Sequence, residues 1–124
     1  MITEDYVSFE TAKLLKEKGF DEPVLLYHRY GKAEPTCPVE RILSKNSDLS
    51  DACSIPTLQM SIKWLREEYK IFICIVFLEE TDMYGFTIED ISSKKDLATS
   101  KNDEYSTYEQ TCEAAIKYCL QNLI

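Results

Sequence analysis

Of 124 residues, three are glycine, four proline, one histidine and one tryptophan, and Lys plus Arg number 14 against 22 Asp plus Glu. Gly19, Gly31 and Gly85 stand far apart, so neither a GxGxxG turn nor a GxxxxGK phosphate cradle can be built from them. The shortage of basic residues leaves a formal charge of -8, the wrong sign for nucleic acid or an anionic membrane as a main partner. Long apolar runs are missing too: Ile71 to Leu78 is the longest, against the roughly 20 residues of a membrane-crossing helix. The opening residues MITEDYVSFE carry Glu4 and Asp5 and no apolar core, so they do not read as a secretory signal. The expected compartment is the cytoplasm. Five cysteines (Cys37, Cys53, Cys74, Cys112 and Cys119) form no CxxC pair, and an odd number in such a chain speaks against a disulfide framework. They are expected as small core residues.

What is present suits one globular domain, residues 1–124, with 44% hydrophobic residues. A helix is expected over 8–18, opened by Ser8 and closed by Gly19, with Leu15 and Phe20 placed for the apolar contact of a Schellman ending. The β-formers of PVLLYHRY predict a strand over 24–30, and the polar, proline-punctuated stretch that follows predicts a long loop over 32–55. Leu58, Ile62, Leu65 and Tyr69, widened by Met60 and Trp64, form the apolar face of a helix over 57–69. IFICIVFL is apolar on both faces and predicts a central strand, paired in a hairpin over 71–91 with the alternating YGFTIEDI. Residues 92–106 read as polar connection. Thr107 and Gln110 match a capping box opening a helix over 107–122, with a stripe of Tyr108, Cys112, Ala115, Ile116, Cys119, Leu120 and Leu123. The fold class expected is α+β, a small antiparallel sheet built on a central hairpin and packed by helices.

Residues able to carry chemistry form no recognisable constellation. His28 lies in a predicted strand with no nucleophile or orienting partner in a motif, so a structural role is expected. His28, Cys37 and Cys53 are of the types that ligate zinc, but their spacing fits no zinc module. No metal or cofactor is therefore assigned. Glu79, Glu80 and Asp82 at the hairpin turn, with Glu89 and Asp90 at the strand end, could act as metal ligands or as acid and base only if they converged in a pocket. Trp64, beside Lys63 and Arg66, is the candidate partner surface, since Trp and Arg are favoured at interface hot spots. The acidity is local: residues 79–109 hold nine acids against three bases.

The segments YVSFETAKLLKEKGFDEP, IPTLQMSIKWLREEY and TYEQTCEAAIKYCLQNLI resemble a group of small proteins encoded by prophages and mobile elements of gut Bacteroidales, which carry no assigned activity. Residues 56–124 are more loosely similar, in element order, to a phage domain described as an α-β-α sandwich. The resemblance implies an origin and an architecture, with no catalytic or cofactor-binding residues. The leading expectation is a non-catalytic phage-derived accessory protein that binds a host or phage protein or itself. A homodimer is plausible on the ground that a small sheet leaves edges to cover. Two alternatives stand beside it: a small metal-dependent or hydrolytic enzyme using the acidic turn, and an acidic mimic of nucleic acid that blocks a DNA-binding host protein.

Overall fold

The structure is a computed structural model that describes residues 1–29, 43, 45–50, 52–101 and 104–124, Arg29 by its backbone alone. The fold is α+β, and the chain divides into two compact units, Met1–Thr57 and Leu58–Ile124.

In the first unit, helix α1 (Phe9–Glu17) starts where Ser8 accepts a hydrogen bond from the Thr11 amide at 3.2 Å. It ends in a full Schellman motif. Gly19 takes φ +97°, its amide donates to the Lys16 carbonyl and the Phe20 amide donates to the Leu15 carbonyl. Leu15 and Phe20 are both buried, the contact expected from the sequence, each adding about 1.5–3 kcal/mol of apolar burial. Strands β1 (Leu26–Arg29) and β2 (Ala52–Ile55) pair antiparallel, with Leu26 opposite Ile55 and His28 opposite Cys53.

Strand β2 falls inside the stretch expected to be loop. Its four residues are all buried, and α1 packs on it. The strand is too short to show a period, and its pairing comes from a residue far away in sequence. Of the rest of the expected loop, a 3-10 turn (Asn46–Asp48) is seen, and residues 30–42, 44 and 51 lie outside the described residues. Polar side chains tie this turn in. Asn46, buried, donates to the Phe20 carbonyl at 2.7 Å and accepts from the Ser54 amide at 2.8 Å. Lys16 Nζ donates to the Leu49 and Ala52 carbonyls. Asp21 accepts from the Ser47 amide, which holds its carboxyl below the ordinary value.

In the second unit, helix α2 (Leu58–Tyr69) buries Leu58, Ser61, Ile62, Trp64 and Leu65, while Met60 and Tyr69 stay partly exposed. Strands β3 (Ile71–Leu78), β4 (Met83–Asp90) and β5 (Asp96–Thr99) form an antiparallel sheet in the order β3-β4-β5. Helix α3 (Tyr108–Asn122) is capped by Thr107, whose hydroxyl accepts from the Gln110 amide at 3.1 Å. The box closes differently from the sequence pattern: the Gln110 side chain accepts from the Ser106 hydroxyl. Helices α2 and α3 contact each other and the same side of the sheet, so this unit has a helix layer on one face.

The sheet departs from the sequence pattern at two strands. IFICIVFL is an edge strand, not the central one; β4 holds the centre. Apolar residues on both faces of a strand report what the side chains avoid, not how many neighbours the backbone has. Strand β5 lies in the polar segment expected to be connection. It is mostly exposed and is placed by its pairing with β4, by a bulge at Ile88/Glu89 and by the Asp90 turn that precedes it. There Asp90 accepts from the Ser93 hydroxyl and the Ser92 amide, which lowers its carboxyl.

Two substitutions test these supports by urea denaturation. Asn46→Ala removes the acceptor of the buried Ser54 amide and a donor to the Phe20 carbonyl, and a loss of about 1–3 kcal/mol is expected. A Cβ at Gly19 meets no atom within 4 Å, so Gly19→Ala should lose only the backbone strain, about 1–2 kcal/mol.

Candidate functional site

The edge position of β3 is set by which way its backbone points. Tyr84 exchanges both backbone hydrogen bonds with Tyr105, and the Phe86 carbonyl accepts from the Ser100 amide. These β4 residues therefore turn their backbone groups away from β3. Their opposites on β3 are Phe77 and Ile75. In an antiparallel ladder, bonded and non-bonded pairs alternate. Ile71, Ile73, Ile75 and Phe77 consequently aim their N–H and C=O groups at the outer edge, where no strand pairs with them among the described residues.

The faces of β3 divide by the same alternation. Ile71 and Ile73, with Phe86 and Ile88 of β4, are buried beneath the helices. Phe86 meets Tyr118 of α3 and Tyr84 meets Tyr108, which fixes this as the helix side. The other side of β3 carries Phe72, Cys74, Val76 and Leu78. Phe72 is 41% and Val76 38% exposed, and Cys74 and Leu78 are half-buried. Phe77, at the far end of the helix side, is 49% exposed and rests against Tyr84. The strand contains no charged residue, proline or bulge, the devices that commonly protect a free edge. Lys70 precedes it and Glu79 and Glu80 follow.

The residues singled out in the sequence lie elsewhere. Trp64 is 7% exposed and meets Tyr69 edge-on at 5.2 Å, so its ring is enclosed and offers no anchor; Lys63 is exposed and Arg66 half-buried. Glu79, Glu80 and Asp82 are exposed at the β3–β4 turn. Glu89 and Asp90 pair with Phe72 and Ile71 at the opposite end of the hairpin, roughly 20 Å away along the strand. The structure does not bring the two groups of acids together. No group of three or more His, Cys, Asp or Glu able to hold a metal is found among the described residues.

His28 is 1% exposed, with its ring 3.9 Å from that of Phe9, and neither ring nitrogen has a hydrogen-bond partner among the described residues. Cys53 lies opposite it across the ladder. Burial pushes the Cys53 thiol up to about 11, against a smaller opposing pull from Lys16 and Lys13. The pair therefore lacks the ready thiolate of a cysteine nucleophile. Cys112 and Cys119 are buried in α3, with thiols raised by burial to about 11 and about 12. Cys37 lies outside the described residues. A groove of about 580 Å³ between β4, β5 and α3 is lined by Phe86, Tyr105, Tyr118, Lys101, Lys117 and Glu104, among others. Among the described residues, Glu104 is the one carboxylate of 79–109 in its lining.

No family model, curated protein or solved structure matches the chain. No helix among the described residues is long and apolar enough to cross a membrane.

The edge was missed because the same apolar text that marks a buried strand also marks an uncovered one. A usable signal lay in the flanks: an uncharged strand bounded by Lys70 and by Glu79 and Glu80 is a self-complementary pattern.

Cys74 differs from the other described cysteines in lying on the open face. In a Cys37→Ser background, a thiol reagent at pH 8 should label Cys74 at least about tenfold faster than Cys53, Cys112 or Cys119. Equal rates, read by peptide mapping, would place Cys74 in an enclosed environment instead.

Proposed function

We propose that the chain is a non-catalytic accessory protein that acts by binding a protein chain, with the outer edge of β3 as its docking surface. One observation carries this reading: an eight-residue, uncharged strand presents a backbone edge with no pairing strand among the described residues, beside an open apolar face. Strand addition uses such an edge. The backbone ladder supplies affinity, and alternate side chains supply selectivity.

The partner proposed is a protein, either a second copy or a host or phage protein; a mobile-element origin rests on the resemblance of the helical segments alone. An enzyme using the acidic turn is disfavoured by the distance between its carboxylates. A nucleic-acid mimic is disfavoured because the acids of the hairpin gather at its two ends instead of lining one face.

Amide hydrogen exchange tests the edge directly. In dilute protein, the amides of Ile73, Ile75 and Phe77 should exchange at least about tenfold faster than those of Cys74 and Val76, which point into the β3–β4 ladder. On titration with a partner chain, protection should rise first at the outward amides. Outward amides already protected in the monomer, or a partner that binds and leaves them unchanged, would overturn the reading.

A further inference from the structure

We infer that the occupant of the β3 edge is β3 of a second copy, paired antiparallel about a two-fold axis through Cys74; this rests on the edge reading above. The outward residues Ile71, Ile73, Ile75 and Phe77 are symmetric about position 74. An antiparallel pairing centred there sets Ile71 opposite Phe77 and Ile73 opposite Ile75 of the other copy, so every outward N–H and C=O of these residues finds a partner. A shift of the centre by one residue either way leaves an outward residue unpaired.

The side chains on the open face agree with that register. Phe72 comes opposite Val76 of the other copy, a large residue against a smaller one, and the exposed parts of both are covered. Cys74 faces its own copy across the axis, where a small side chain is required. On the helix side, the exposed Phe77 ring lies against Ile71 of the other copy.

Charge selects the direction. Lys70 of one copy falls opposite Leu78 of the other, beside Glu79 and Glu80, and the contact occurs twice by symmetry. A parallel arrangement would stack Lys70 on Lys70 and the acids on the acids, which repel. The strand between these flanks carries no charge, so the net charge of -8 is not concentrated at the contact. Joining the two sheets in this way removes both exposed β3 edges at once.

Disulfide trapping reads the register. The cross-link forms when two facing thiols lose two protons and pass two electrons to an added copper(II) oxidant. The Cα spacing of a directly opposed, non-bonded antiparallel pair, about 4.5 Å, lies within the disulfide range.

In a Cys37→Ser background, Cys74 should give a covalent dimer mapped to a Cys74–Cys74 peptide. Cys74→Ser should lose that product while still sedimenting as a dimer. Adding Phe72→Cys and Val76→Cys together in the Cys74→Ser chain should restore the cross-link. Either substitution alone should cross-link at least about tenfold less, because each thiol then faces an apolar residue. Phe72→Lys with Val76→Lys, both at exposed positions, should give a folded monomer by circular dichroism and sedimentation.

A strict monomer up to 100-fold above micromolar concentration, with fast outward amides, overturns the self-pairing and leaves the edge reading standing. A dimer that cross-links through neither Cys74 nor the 72/76 pair overturns the register. Outward amides protected in the monomer overturn both.

Discussion

The second unit depends on one constraint: β3 is apolar on both faces, and the helices cover only one. Ile71 and Ile73, with Ile88 opposite Ile73 and Phe86 opposite Ile75, lie under α2 and α3. That burial fixes register, because a slip of one residue would bring Phe72 and Cys74 to the helix side and turn the isoleucines outward. The same alternation leaves Phe72 and Val76 facing away from the one helix layer seen among the described residues of this unit. With β4 occupied on its far side by β5 and by Tyr105, no element of the sheet is left to pair with the outer edge of β3.

The first unit solves a different problem, how to hold a two-stranded sheet that is marginal by itself. It does so with polar side chains acting in place of further strands. The Asn46 amide bridges the helix tail and β2, supplying the Ser54 amide with an acceptor. The Lys16 ammonium gathers the Leu49 and Ala52 carbonyls and so ties α1 to β2. Near the N-terminus, the Val7 amide donates to the Pro56 carbonyl and Tyr6 bridges to Thr57. These bonds are side chain to backbone or single bridges, so none shows as a period in the sequence.

That difference explains what could be read from the chain. Helix ends were legible because their signals are local: Ser8, Gly19 and Thr107 act within a turn of themselves, and each does what its residue type requires. The hairpin over 71–91 was legible because its two strands are adjacent and β4 alternates. Strands β2 and β5 were not, since each is short and is defined by a partner and by turns rather than by its own pattern. Trp64 shows the limit for surfaces. Its place beside Lys63 and Arg66 suggested a partner surface, but its ring is enclosed, while Tyr69, read as stripe, stays exposed at the helix end.

The same physics bears on what the chain can do. Reactive chemistry needs a polarised group in a site that substrate can reach, and here the buried thiols are held protonated by burial while the acids spread to opposite ends of a hairpin. Association needs something else, a surface whose exposure to water is unfavourable and whose backbone groups await partners. β3 has both on one strand. An acidic protein can carry such a strand without indiscriminate aggregation, because -8 of net charge keeps copies apart, and the proposed register is one that would set Lys70 against Glu79 and Glu80. The charge that works against nucleic acid as a ligand would thus also make an exposed apolar edge compatible with the selective contact proposed.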